Sequence, residues 1–87
     1  MDNYRVVSCE YHDHIELACI RNYPLKIELT DNTICHGKAL TTETRADKSE
    51  WLVIETTTQK RSIRLDHITA ITPEVEGAMF GRILMPN

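Results

Sequence analysis

At Pro24 the spacing of apolar residues along the chain changes from helical to alternating. Before Pro24, apolar residues recur at intervals of three and four, whereas after it Leu25, Ile27 and Leu29 alternate with polar neighbours. The first pattern predicts a helix with one buried stripe, and the second predicts a strand with one buried face. The later apolar segments are short, rich in β-favouring residues and separated by turn residues. The sequence therefore predicts a mainly β fold with one N-terminal helix.

So small a sheet is not expected to stay flat, because a flat sheet would leave one face and both edges bare. One helix followed by five or six short strands therefore predicts a small, strongly bent β-barrel, either Sm-like or of a similar five-stranded type. We expect all 87 residues to form one domain. Its predicted parts are an irregular arm over residues 1–7, a helix over residues 8–23 and barrel strands over residues 25–85.

Local signals predict where the helix begins and ends. Ser8 or Cys9 can cap its first turn, and Asn22 tolerates the left-handed backbone that often follows a helix. Pro24 disfavours helical geometry at Tyr23, so the helix should stop there, with the tyrosine packed at the helix end.

The middle of the chain predicts a long strand, a polar loop and a central strand. Residues 33–44 form the long strand, in which Gly37 predicts a bend. Residues 43–50 are polar and predict a surface loop. Trp51 then opens a dense run of β-favouring residues, and we expect its side chain to lie in the core.

Charge and composition limit the functions that the chain can have. The formal net charge is −3, which disfavours nucleic-acid binding and favours a partner with a basic surface. No apolar run is long enough to span a bilayer, and no signal peptide precedes the helix, so we expect a cytoplasmic protein without membrane contact. Cys9, Cys19 and Cys35 are odd in number and far apart, which indicates free thiols.

The sequence offers little for catalysis or for a cofactor. The four histidines and three cysteines lack the close spacing of a zinc site, and His12 and His14 point to different sides of a helix. The three glycines stand apart, so no glycine-rich loop can hold a phosphate. We therefore expect no metal, no cofactor and no enzymatic activity.

The predicted helix has two distinct sides. One is an apolar stripe suited to the core, formed by Tyr11, Ile15, Ala18 and Cys19. The other is both acidic and partly apolar, and its members are Glu10, Asp13, Glu16, Leu17 and Ile20. A side exposed only to water would not need the two large apolar residues, so this side is a candidate binding surface.

Several segments, taken in order, resemble the Rof family of Rho inhibitors. They are residues 9–19 (CEYHDHIELAC), 25–29 (LKIEL), 51–55 (WLVIE) and 64–69 (RLDHIT). The likeness extends over about residues 4–77, and the tail, residues 78–87, departs from the pattern. The resemblance implies an Sm-like fold with a leading helix. It also implies that the protein inhibits transcription termination factor Rho. It further implies that the chain docks on the primary RNA-binding site of Rho's N-terminal domain.

The resemblance also suggests which residues bind Rho. Asp13 and Glu16 are the first candidates, because a site that holds RNA phosphates must be basic. Glu10 follows them, since its simpler role is to favour the helix start through the helix dipole. Leu17 and Ile20 accompany the acids. Arg45 and Lys48, in the polar loop, are candidates for a second contact.

Two other classes of function are alternatives. Lys60, Arg61 and Arg64 form the densest basic cluster, which could make the chain an Sm-like RNA-binding module. We interpret the cluster instead as protection of a strand edge. A scaffold that assembles through exposed barrel edges is the third option, although we expect the free protein to be monomeric.

Overall fold

The structure is a computed structural model that describes residues 4–85. Residues 1–3 of the predicted arm and residues 86–87 lie outside this range. Its elements confirm the mainly β fold with one N-terminal helix. In chain order they are α1 (Cys9–Ile20), β1 (Pro24–Leu29), β2 (Ile34–Thr44), β3 (Glu50–Glu55), β4 (Lys60–Arg64), a 3-10 turn (Leu65–His67), β5 (Ile68–Pro73) and β6 (Ile83–Leu84).

Helix α1 ends in a Schellman motif, which explains why it stops before Pro24. The Tyr23 N–H donates to the Ala18 carbonyl at 2.9 Å, and the Asn22 N–H donates to the Cys19 carbonyl at 3.1 Å. Asn22 takes the left-handed φ of 50° that this motif requires. At the other end Ser8 is the N-cap residue in extended conformation. The helix is therefore shorter than the predicted 8–23.

The six strands form one antiparallel sheet in the order β4-β3-β2-β1-β5-β6. In a flat sheet, four strand spacings would separate β4 from β5 by about 19 Å. The chain joins them with only the 3-10 turn Leu65–His67, and four residue steps reach at most about 14 Å. The sheet must therefore curl strongly, as predicted, although β4 and β6 remain its two hydrogen-bonding edges.

The curled sheet and the helix enclose one apolar core. Strand β1 buries Leu25, Ile27 and Leu29 on its inner face, as their alternation predicted. The helix adds Ile15 and Ala18, both fully buried, while Tyr11 and Cys19 pack against the core from its margin. The predicted inner stripe of the helix is thus confirmed, and Tyr23 is buried at the helix end.

The sequence predicted a bend at Gly37, and the structure shows an irregularity in the pairing of β2 further along the strand. Gly37 pairs regularly with Leu25, and the register of β2 against β3 shifts later, between Ala39 and Thr41. Glycine is required at position 37 because the sheet crowds it: an added Cβ would lie 2.8 Å from Ile54 Cδ1 and 3.1 Å from the Glu55 carbonyl. Close approach, not backbone freedom, explains the residue.

The expectation that Trp51 is buried in the core was wrong. Leu52 and Ile54 fill the core from β3, so Trp51 lies on the opposite, outer face of the strand and is only half-buried. The Arg45 guanidinium covers its ring at 3.7 Å from the centroid, and its indole N–H donates to Ser49 Oγ at 2.8 Å. A run of consecutive apolar residues does not reveal which of them faces inward.

We expect Trp51→Ala to lower the free energy of unfolding by about 1 to 2 kcal/mol, because it removes a partly exposed cation–π contact and one hydrogen bond. Leu52→Ala should cost more, since it opens a cavity in the core. Urea unfolding of both variants measures the difference. If Trp51→Ala proves the more damaging, the outer face of β3 contributes more to stability than its exposure indicates.

The tail joins the sheet through the short strand β6. Ala70 and Ile71 of β5 pair with β6, and the Met85 N–H donates to the Thr69 carbonyl at 2.8 Å. Arg82 reaches across to β1, where it donates to both carboxylate oxygens of Glu28 at 2.8 and 3.0 Å. Within residues 4–85, no helix has the length and apolar character needed to cross a membrane.

Candidate functional site

The exposed side of α1 carries a continuous stripe at positions i, i+3, i+4 and i+7, here called the helix stripe. Its members are Asp13, Glu16, Leu17 and Ile20. Both acids are exposed, Leu17 is half-buried, and Ile20 is 78% exposed. The core does not use Ile20, so this stripe exposes two carboxylates and an apolar side chain.

Glu10 is exposed in the first turn of α1, three residues before Asp13 and seven before Leu17, so it lies at the N-terminal end of the same side of the helix. There its carboxylate is close to the positive end of the helix dipole, which suits a role in helix stability. The five predicted helix residues therefore share one broad side of α1, with Glu10 at its N-terminal margin.

His12 and Glu50 extend the acidic surface from the helix to the sheet. His12 Nδ1 lies 3.1 Å from Glu16 Oε1, one helical turn away, and its Nε2 lies 2.9 Å from Glu50 Oε2 at the start of β3. The side chains of Glu16 and Glu50 are 53% and 30% exposed. Sequence reasoning missed both His12 and Glu50, because their contact depends on how the helix packs on the sheet.

The predicted second contact, Arg45 and Lys48, lies in the turn between β2 and β3. Arg45 is engaged with the Trp51 ring and with Glu43 at 3.6 Å, and Lys48 is exposed with a left-handed φ of 69°. The described contacts of Arg45 are on the outer face of β3. Successive side chains of a strand point to opposite faces. Trp51, with Arg45 stacked on it, therefore lies on the opposite face of β3 from Glu50.

Hydrogen bonds within the turn hold it in shape. Asp47 accepts from the Ser49 hydroxyl at 2.6 Å and from the Ser49 N–H at 3.0 Å. These bonds lower the pKa of Asp47, because they favour its ionised form. The turn therefore presents Lys48 on a defined backbone.

The basic cluster of the RNA-binding alternative does not converge in the structure. Arg64 is mostly buried and donates to both carboxylate oxygens of Asp66, at 2.6 and 3.0 Å. Lys60 and Arg61 are exposed neighbours on β4 and so point to opposite faces. Because β4 is an edge of the sheet, the two cations are placed to discourage pairing with another strand.

Asp66 connects the 3-10 turn to the arm that precedes the helix. Its carboxylate, 4% exposed, accepts the Arg5 N–H at 2.9 Å in addition to the Arg64 guanidinium. Burial alone would raise the pKa of Asp66, but the hydrogen bonds from Arg64 and Arg5 outweigh it and lower the pKa. The sequence did not predict this contact, since a contact across 61 residues leaves no local signal.

The cysteines are free thiols, and two of them are poor nucleophiles. Burial, with a contribution from the Glu16 carboxylate, raises the pKa of Cys19 to about 11. Burial likewise raises the pKa of Cys35. Since the thiolate is the reactive form, these two side chains are suited to packing. No cluster of three or more metal-binding side chains occurs within residues 4–85.

Comparison with known proteins gives concordant results. A family model described as modulator of Rho-dependent transcription termination (ROF) matches residues 6–85. The match includes residues 78–85, where the resemblance noted in the sequence had ended. Protein rof from Escherichia coli (strain K12) is 36% identical over 75 residues, which is 85% of this chain and 88% of the relative. Protein rof from Shigella flexneri matches with the same figures.

One solved structure has the same fold. It is YaeO bound to magnesium, from Vibrio cholerae O395, with a TM-score of 0.79 and 23% sequence identity. The match covers 85% of this chain and 96% of that one. At this identity the likeness supports the fold, including the single helix and the curled sheet.

Proposed function

This chain belongs to the Rof family of modulators of Rho-dependent transcription termination, and we propose that it inhibits Rho by laying its acidic helix on the primary RNA-binding site of Rho's N-terminal domain. RNA then cannot engage that site, and Rho fails to terminate transcripts. In this proposal the helix stripe, Asp13, Glu16, Leu17 and Ile20, is the main contact. The single observation that carries it is the exposure of two carboxylates beside an apolar residue that the core does not use.

Physical chemistry supports an acidic contact on such a site. A surface that binds RNA phosphates holds Lys and Arg in place, and carboxylates presented to it form charge-assisted hydrogen bonds. Opposite charges also speed the encounter of the two proteins, an effect that salt weakens. Ile20 and Leu17 would add apolar burial that salt does not weaken.

The turn residues Arg45 and Lys48 are a proposed second contact. Lys48 is exposed on a turn of defined shape, whereas Arg45 would have to keep or exchange its stacking on Trp51. In the proposal the protein is a monomeric, cytoplasmic binding inhibitor without cofactor or catalytic activity, and neither membrane nor nucleic acid is its partner.

A capture experiment tests the proposed function. The immobilised chain should retain purified Rho at low salt and less of it at moderate salt, and it should displace labelled single-stranded RNA from Rho. Retention of Rho without any displacement of RNA would place the contact away from the primary site. Failure to retain Rho at either salt concentration would contradict the proposal altogether.

We expect the free protein to bind single-stranded RNA more weakly than about 10 µM at physiological salt, because its net charge is negative and its basic cluster is divided. Filter binding with labelled RNA measures this affinity. Tight binding that weakens steeply with salt would favour the RNA-binding module instead. Lys60→Ala with Arg61→Ala should then abolish it.

A further inference from the structure

Both ring nitrogens of His12 face a carboxylate. Nδ1 lies 3.1 Å from Glu16, which belongs to the helix stripe, and Nε2 lies 2.9 Å from Glu50 on β3. The histidine is only 23% exposed, so the two carboxylates cover most of its polar edge. Elsewhere, His36 contacts Glu74 and His67 contacts Asp66.

Only the charged form of the ring satisfies both contacts. An imidazolium donates a hydrogen bond from each nitrogen, whereas a neutral imidazole donates from one and presents a lone pair at the other. In the neutral form, one carboxylate therefore faces a lone pair and is repelled. Glu16 is the more exposed of the two acids, so it is the one that can turn to solvent at lower cost.

We propose that His12 is the positioning residue of the acidic surface: when protonated it holds Glu16 against the sheet, and when neutral it releases Glu16 to the partner. This inference rests on the proposed contact between Glu16 and Rho. With His12 charged, the three groups carry a net charge of −1, and with His12 neutral they carry −2. The attraction of the helix stripe for a basic site thus increases as the pH rises.

The groups that can influence this switch belong to three elements. Glu16 comes from the helix itself and Glu50 from β3, as described. Tyr4 comes from the arm, where its hydroxyl is buried close to Glu50. Burial raises the pKa of Tyr4, with the Glu50 and Asp66 carboxylates adding to the rise, so the phenol stays neutral while histidines titrate. Protonation of His12 is then the change that alters the charge of this surface.

The test compares the affinity of the intact chain for intact Rho at pH about 6 and about 8, the range in which histidine changes its charge. The variants are His12→Gln, Glu50→Gln and, as a matched control, His14→Gln. His14 lies two residues away, and its Nδ1 faces the Glu10 carbonyl instead of a carboxylate. The pH dependence that remains in His12→Gln comes from Rho and from the other titratable groups of the chain, and dividing by it isolates the effect of His12.

The unmodified chain and His14→Gln should bind about two- to fivefold more tightly at the higher pH after this correction, the size expected for one partly exposed charge. Glu50→Gln should reduce the effect, because its amide can donate to a neutral ring and Glu16 then stays held. Only the change in the charge of His12 itself would remain. Equal pH profiles for the unmodified chain, His12→Gln and Glu50→Gln would overturn the inference while the proposed function stands. Absence of Rho binding at both pH values would instead contradict the proposed function.

A readout without Rho checks the same contact. Long-range ¹H–¹⁵N spectra of the free protein show which imidazole nitrogens carry protons. In the charged form both nitrogens of His12 carry protons, and the Glu16 side-chain carboxyl signal should move when His12 loses one of them. Comparison with the spectra of His12→Gln assigns both signals. A Glu16 signal that does not change when His12 loses its proton would refute the positioning role, whatever the affinity for Rho.

Discussion

Replacing Asp66 with alanine should lower the free energy of unfolding by about 3 to 5 kcal/mol, the cost of breaking a buried ion pair by removing one partner. The Asp66 side chain is 4% exposed and that of Arg64 is 12% exposed, so the change leaves a mostly buried guanidinium without its bidentate acceptor. The Arg5 N–H loses its acceptor as well. For a domain of this size, such a loss is a large share of the total stability.

The same carboxylate predicts how stability depends on pH. Its pKa in the folded protein is lowered, whereas an unfolded Asp titrates near a pH of about 3.9. The folded state therefore binds this proton less readily than the unfolded state. Its contribution to stability is fully present above about pH 4 and is lost as the pH falls through the folded pKa. Asp66→Asn should flatten this acid limb of the stability curve.

Chemical denaturation at neutral and acidic pH measures both effects. Asp31→Ala is a suitable control, because Asp31 is exposed in the first hairpin turn, where it accepts from the Thr33 N–H and hydroxyl. It should cost far less than Asp66→Ala. If the two alanine variants are equally stable, the ion pair with Arg64 does not hold the arm and the 3-10 turn as the geometry indicates.

Reversing two charges on the helix stripe, Asp13→Lys with Glu16→Lys, should weaken Rho binding by about 100-fold or more. Like charges placed against each other in an interface cost several kcal/mol, and each 1.4 kcal/mol is about a tenfold change in affinity. The two side chains are three residues apart and both exposed, so they can face one basic site together. Neither belongs to the buried stripe, so the fold should survive.

A matched control separates this local effect from net charge. Glu55→Lys with Glu76→Lys changes the net charge by the same amount, at two exposed positions on β3 and in the turn after β5. Circular dichroism checks folding, and competition with labelled RNA for Rho measures function. The control should displace RNA nearly as well as the unmodified chain. Equal loss in both double variants would mean that net charge alone governs the interaction.

The parts of the fold that the sequence predicted correctly depend on local signals. The alternation of Leu25, Ile27 and Leu29 identified the buried face of β1, and Asn22 marked the end of the helix. Each signal lies within a few residues of the feature it predicts. Where every residue of a run is apolar, as around Trp51, alternation gives no face, and the neighbouring strands decide which side is buried.

The contacts that tie the helix to the sheet could not be predicted in the same way. Arg5 meets Asp66, and His12 meets Glu50, across long stretches of chain. Their positions follow from the curl of the sheet, which the short connection between β4 and β5 imposes. The sequence identified the acidic helix residues, but it gave no indication that a histidine from the helix and a glutamate from β3 adjoin them.

Hydrogen exchange of the intact chain, alone and bound to intact Rho, tests the central proposal most directly. Binding through the helix stripe predicts that amides of α1 (Cys9–Ile20) exchange more slowly in the complex than in the free protein. The turn that holds Lys48 should show a smaller decrease, and β4 should be unchanged. Slower exchange confined to β4 (Lys60–Arg64), with α1 unaffected, would contradict the account.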